Sequence, residues 1–352
     1  VFVLTFYRSV WISVIFSLFF AAAAPAAAVL AYLSGYWLPL VIPEFAVITA
    51  ITLSLVVNFA TEGIQRQFIK SAFQQYLNPA VIDQIIAHPE KLTLGGERRE
   101  LSIFFSDLQG FTSISEALEP EALTALLNDY LSAMTDIIHE ENGTVDKYEG
   151  DAIIAFWNAP LDVPDHACRA VTAALRCQEK LAELRPLYLA RTGKELHMRI
   201  GVNTGYAVVG NMGSKDRFDY TMLGDAVNLA ARLEGVNKQF GTYTMVSAET
   251  RKQSGDNFRY RELARVAVVG KKEAVTIFEP FRNDVYNERK DILNNFHRGL
   301  QLFYQGQFDE AQDIFLATAS NDPAAASYAE KCTDMKKTDV QEWDGIWVMT
   351  SK

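Results

Sequence analysis

From Leu101 to about Phe281 the hydrophobic period keeps switching between that of a strand and that of a helix, and the order of the switches limits the fold. LSIFFSD, starting at Leu101, reads as a strand. Pro120 to Glu141 carries Leu123, Leu126, Leu127, Tyr130, Leu131, Met134, Ile137 and Ile138 at helical spacing. Glu141-Asn-Gly-Thr is a helix stop. Thr144 to Tyr148 and Ala152 to Trp157 then read as a hairpin about Glu149-Gly150-Asp151, and IIAFW is built for burial in a sheet. Asp165 to Leu187 is a second amphipathic helix. Met198 to Val202 and Ala207 to Val209 read as a strand pair turning at Asn203-Thr204-Gly205. Asp225 to Lys238 is a third helix that Asp225 can cap. FRYRELARVAVVGKKEAVTIFEP closes the region as strands with a Gly-Lys turn. Strand, helix, hairpin, helix, strand is the split βαβ order of ferredoxin-like α+β domains.

The rest of the chain divides by composition. Its 352 residues are enough for two or more domains, and its apolar excess is concentrated between residues 10 and 60. Val10 to Leu33 has no charge and is long enough to span a bilayer, with Pro25 inside it. Trp37 to Ala60 is a second candidate span, with Glu44 near its start. The expectation is therefore a multi-pass protein of the inner (plasma) membrane. Arg8, Arg66 and Lys70 place its following domain in the cytoplasm. The chain opens on Val1, which reads as a fragment or a processed chain. Residues 61–96 are expected to be a helical connector broken at Asn78-Pro79. Residues 282–352 are expected to be a helical tail resembling one tetratricopeptide-like pair, which must pack on the preceding domain or on a partner to cover its apolar face. The net charge of -10 and the lack of a long basic run argue against nucleic acid. Three scattered cysteines fit a reducing compartment, and the five histidines form no zinc-spaced cluster.

The chemistry gathers at three places. In FFSDLQGF, Asp107 stands where an apolar strand ends, and Gly110 lets the backbone approach a ligand. In DKYEGDAIIAFW, Asp151 stands where another such strand begins, 44 positions on. If the two strands are neighbours, the carboxylates meet at one edge of the sheet. They then repel unless a cation lies between them. Hard oxygen ligands with room for phosphates suit Mg²⁺ or Mn²⁺. In DYTMLGDAVNLAARLEG, Asn228 and Arg232 fall at i and i+4 on one helix face, a donor row suited to a ribose and a transferring phosphoryl group.

Together, FFSDLQGFTSISE, DKYEGDAIIAFW and DYTMLGDAVNLAARLE resemble the catalytic domain of class III nucleotide cyclases, over about residues 97–281. FQQYLNPAVIDQII, the double apolar run and the closing WDGIWVMTSK are similar to bacterial membrane cyclases that carry a CHASE-type extracellular sensor upstream. The resemblance implies that Asp107, Asp151 and the Leu108 carbonyl hold two divalent metals. It implies that Lys147 and Thr221 select adenine, that Asn228 orients the ribose and that Arg232 meets the transition-state phosphate. Lys271 would bind the terminal phosphates, with Lys272 as its rival because VVGKKEA lacks the usual basic residue before the glycine. Arg217 is a further phosphate contact. In this family one chain supplies the metal aspartates and its partner the remaining groups, so a homodimer would hold two complete sites.

The implied reaction turns ATP into 3′,5′-cyclic AMP and pyrophosphate. A lysine only donates, to adenine N1 or guanine O6, while Thr221 can accept from the 6-amino group of adenine. Guanine-specific relatives place an acidic residue where Lys147 stands. A guanylate cyclase and a catalytically silent dimerising module are the alternatives. A diguanylate cyclase would need a second acidic residue in Glu149-Gly150-Asp151-Ala152.

Overall fold

The computed structural model describes residues 10–37, 39, 41–42, 44–46, 48–49, 52–53, 94–214, 217–267, 274–337 and 343–348. It forms two compact units, residues 1–82 and 83–352. The expected connector, apart from residues 94–96, lies outside the described residues, and so does most of the second apolar run.

In the first unit Val10–Leu33 forms one helix, α1, without a charged residue and with Pro25 in its interior. The chain leaves it in a turn at Ser34 and Gly35. Among the described residues no helix is long and apolar enough to cross a membrane. This overturns the expected multi-pass membrane placement. The centre of α1, AAAAPAAA, is alanine and proline, residues that contribute little apolar area each, and the proline removes one backbone hydrogen bond.

The second unit is organised by one nine-stranded sheet. Its first four strands are β1 (Gly95–Leu108), β2 (Thr144–Glu149), β3 (Ala152–Trp157) and β4 (Met198–Gly213). They lie in the order β2-β3-β1-β4 with every pair antiparallel, the ferredoxin-like arrangement that the element order implies. Both faces are covered, which is why FF and IIAFW are apolar without alternation. On one face Phe104 meets Trp157 edge-on at 6.2 Å beneath α3 (Pro120–Glu140) and α4 (His166–Thr192), after the short α2 (Phe111–Ser115). On the other, Ile103, Ile154, Phe156 and Met222 form a second cluster with Ala230.

The expected turn at Asn203-Thr204-Gly205 does not form, and β4 runs straight through it. Partners from elsewhere hold these turn-prone residues extended. Asn203 donates to the Ala226 carbonyl at 2.8 Å, and the Thr204 hydroxyl lies 2.8 Å from that of Ser102. The real turn comes later, leading into β5 (Phe218–Leu223), which pairs back on β4. Helix α5 (Asp225–Phe240) follows, its N-cap being Gly224 rather than the expected Asp225. It lies so close to β4 that a Cβ on Gly201 would sit 2.3 Å from the Glu234 nitrogen.

Strand β6 (Thr244–Ser247) runs parallel to β4, and helix α6 (Ala248–Gln253) follows it. Strands β7 (Arg259–Ala267) and β8 (Val275–Phe281) extend the sheet. The C-terminal region comprises α7 (Asn283–Glu288), α8 (Lys290–Tyr304), α9 (Phe308–Thr318) and α10 (Pro323–Lys337). Phe296, Phe303, Phe315 and Tyr328 from these helices share a core with Leu229, Leu233 and Phe240 of α5. A last strand, β9 (Ile346–Val348), runs parallel to β7 and brings Trp347 into that core.

Candidate active site

The sheet register brings the two aspartates together. Ser106 of β1 is paired with Ile153 of β3, so Asp107 lies beside the Gly150-Asp151 turn. Gly150 has φ +67, a conformation that side chains other than Asn and Asp seldom take. The turn delivers the Asp151 carboxylate to the Leu108 amide, which donates to it at 2.9 Å. Burial raises the Asp151 carboxyl above its ordinary value, the Leu108 hydrogen bond pulls it down, and the charge on Asp107 pushes it up again.

On the other side of Asp107 stands Arg199, its register partner on β4. Its guanidinium donates to Asp107 at 3.0 Å and to Glu234 of α5 at 2.9 Å. Glu234 is raised chiefly by burial, against the lowering effect of Arg199. Three carboxylates and one arginine thus converge, leaving an excess of negative charge. Among the described residues no three His, Cys, Asp or Glu side chains form a metal site. Two carboxylates and a backbone oxygen still fit a hard divalent cation that completes its shell with water and substrate phosphate. Sequence reasoning passed over Arg199 and Glu234, because a lone charged residue in a strand and another on a helix carry no spacing signal. Only the close approach at Gly201 joins them.

Asn228 and Arg232 lie on α5 as expected, Asn228 exposed and Arg232 half-buried, and neither side chain hydrogen-bonds to another described residue. From Glu234 back to Arg232 is about 200° around a helix, and back to Asn228 about 240°. Through Arg199, Glu234 faces Asp107 of its own chain, so Asn228 and Arg232 face away from that carboxylate. Lys147 and Thr221 flank one carboxylate, that of Asp146. Thr221 Oγ1 lies 2.7 Å from one of its oxygens and Lys147 Nζ 3.8 Å from the other. Arg217 is exposed in the β4–β5 turn, where its backbone NH donates to the Ser214 hydroxyl at 3.1 Å. Lys271 and Lys272 lie outside the described residues.

This sheet and this clustering define a nucleotide cyclase domain. A family model described as the adenylate and guanylate cyclase catalytic domain matches residues 96–278. That is just over half of the chain, which belongs to this family, the class III cyclases. Adenylate cyclase 1 of Rhizobium meliloti (strain 1021) is 37% identical over 182 residues, 52% of this chain and 27% of that protein. The adenylate cyclase of Anabaena cylindrica is 34% identical over 235 residues, 63% of this chain and 46% of the relative. The chain therefore spans less than half the length of these two relatives. Among solved structures, the adenylyl cyclase CyaB from P. aeruginosa is similar with a TM-score of 0.51 at 37% identity, over 54% of this chain and 97% of that one. The guanylyl cyclase Cya2 is similar with a TM-score of 0.51 at 36% identity, over 55% and 98%. The family match covers the catalytic domain and lends no support to an upstream sensor or a membrane anchor.

Proposed function

We propose that this chain is an adenylate cyclase that converts ATP to 3′,5′-cyclic AMP and pyrophosphate in sites shared between two copies. The observation that carries the reading is the division of α5. One side, through Glu234 and Arg199, supports Asp107 of the same chain. The side carrying Asn228 and Arg232 points elsewhere, so a second copy must meet it with its own carboxylates. Exposed apolar side chains on the β4–β5 hairpin support such an interface. Tyr206, Val208 and Leu223 are all exposed, and Val208 and Leu223 are cross-strand partners. A twofold axis would make the contact self-complementary.

Within that site Asp107, Asp151 and the Leu108 carbonyl would hold the Mg²⁺ or Mn²⁺ ions. When bound, such a pair supplies charge neutralisation at the triphosphate and a lowered pKa at the ribose 3′-hydroxyl. Asn228 orients the ribose. Arg232 pairs with the α-phosphoryl oxygens as charge shifts toward the departing pyrophosphate, so its contribution lies mainly in the transition state. Lys271 and Arg217 neutralise the terminal phosphates. Arg199, held by Glu234, keeps the Asp107 carboxylate in place. Lys147 and Thr221 read the purine edge. The similarity to CyaB and to Cya2 is equally strong and does not choose between purines. The reading for ATP rests on a lysine at position 147, which leaves guanine N1 and N2 donors unpaired.

The test is a cyclic-nucleotide assay on the full chain with Mn²⁺, with ATP and GTP supplied separately, beside Asp107→Ala. Cyclic AMP from the wild type and none from the variant supports the reading. Faster turnover of GTP would make the chain a guanylate cyclase, and no product from either would leave the silent dimerising module.

A further inference from the structure

Asp146 is a buried carboxylate that the reaction above leaves without a task. It sits in β2 beside Lys147, its side chain only 3% exposed. It is also the extra residue of a β-bulge, since Val145 pairs with Ala155 and Lys147 with Ile154, leaving Asp146 without a partner in the ladder. A bulge of this kind re-aims the side chain it carries. Here one oxygen meets the Thr221 hydroxyl at 2.7 Å. The other is buried and accepts no hydrogen bond among the described residues, with the Lys147 ammonium 3.8 Å away. Burial raises this carboxyl, while Thr221 and then Lys147 lower it.

The contact fixes a polarity. A carboxylate only accepts, so the Thr221 hydroxyl must donate its hydrogen to Asp146. Its lone pairs are then left for whatever lies in front of it. The purines of ATP and GTP differ at C6, where adenine carries an amino donor and guanine an oxygen acceptor. Lys147 cannot separate them at that edge by itself, because an ammonium donates to adenine N1 or to guanine O6 alike. At the C6 edge the choice therefore falls on the orientation of one hydroxyl proton.

We infer that Asp146 is a specificity-determining residue, which holds the Thr221 hydroxyl as an acceptor toward the base and so favours a 6-aminopurine over a 6-oxopurine triphosphate. The inference rests on the cyclase reading given above. Asp146 acts through Thr221 and is a positioning residue.

The experiment is a comparison of kcat/KM for ATP and for GTP in the full chain with Mn²⁺. In Asp146→Asn the amide can turn its NH₂ to Thr221 and reverse the hydroxyl. The ATP:GTP ratio is expected to fall about tenfold or more, the effect of one reversed hydrogen bond. In a Thr221→Val background the same substitution should leave the ratio within about twofold, since no hydroxyl remains to orient. Thr221→Ser should keep the wild-type ratio. Asp146→Ser, whose hydroxyl can donate or accept, should also lower the ratio and serves if the asparagine variant does not fold. Equal losses for both nucleotides in Asp146→Asn and Asp146→Ser, with the ratio unchanged, would overturn the inference and leave Asp146 a structural residue. A wild-type chain that cyclises neither nucleotide would instead overturn the cyclase reading on which it stands.

Discussion

Replacing Asp322 with alanine asks whether the C-terminal helices hold the helix that carries Asn228 and Arg232. Asp322 is 0% exposed and directly precedes α10. Its Oδ2 accepts from Arg261 of β7 at 2.6 Å, while its Oδ1 is buried and has no hydrogen-bond partner among the described residues. Arg261 also donates to Glu279 of β8 at 2.9 Å and lies 4.6 Å over the Phe296 ring. From this anchor α10 runs back across the domain. Tyr328 donates to the Leu263 carbonyl at 2.7 Å, and its ring packs 6.0 Å from Phe240 in the last turn of α5. Removing one partner of a buried ion pair costs about 3–5 kcal/mol. Glu279 remains beside Arg261 and offsets part of that, leaving about 2–3 kcal/mol. In a unit of this size each kcal/mol lowers the melting temperature by about 2 °C, so a fall of about 4–6 °C is expected. Thermal unfolding of the full chain followed by tryptophan fluorescence reads it directly, because Trp343 and Trp347 pack against Phe303 in the same cluster. The cyclase kcat should fall alongside, as α5 loses its support. A melting temperature within about 1 °C of wild type would refute the reasoning, for it would show that the buried pair does not anchor the tail.

Other expectations concern the site itself. Arg232→Ala should lower kcat by about 10²–10³ with a much smaller change in KM, the pattern of a contact made in the transition state; a rise in KM at constant kcat would remove that role. The Asp151 carboxyl is raised by burial and by Asp107, so in the metal-free protein its contribution to stability is present at acid pH and lost as pH rises through the raised value. A divalent cation binds the ionised form, so Mn²⁺ affinity measured by calorimetry should weaken as pH falls through that same value, and Asp107→Asn should move the inflection to lower pH. Burial pushes the Cys177 and Cys332 thiols up to about 12, so an alkylating reagent near pH 8 should label Cys168 first and the other two only on unfolding.

Much of this arrangement was legible in the residues. Asp107 and Asp151 announced themselves because each closes or opens an apolar strand, and strand pairing did the rest. The split βαβ order was legible for the same reason, since strand and helix periods alternate cleanly from Leu101 onward. What escaped depends on contacts distant in sequence. Asn203-Thr204-Gly205 has turn chemistry, yet Ala226 and Ser102 hold the first two residues extended. Strand β5 is half exposed and its pattern is weak, so DYTML showed only its candidate base contact, Thr221. Arg199 and Glu234 join only through the close packing of α5 on β4. The uncharged N-terminal runs led to a membrane expectation that the helix described there does not carry. The tail's need for a partner was legible from its apolar face, but not that a closing strand with Trp347 would complete it.

The central claim is that the carboxylates of one copy work with the asparagine and arginine of another. It is tested most directly by mixing two inactive variants of the full chain, Asp107→Ala and Arg232→Ala, and measuring cyclic AMP. Each alone should be silent. An equal mixture in which copies exchange should regain about a quarter of wild-type activity, because half the dimers are mixed and each of those has one intact site. If mixed dimers form and the mixture stays as inactive as its parts, the shared site is contradicted.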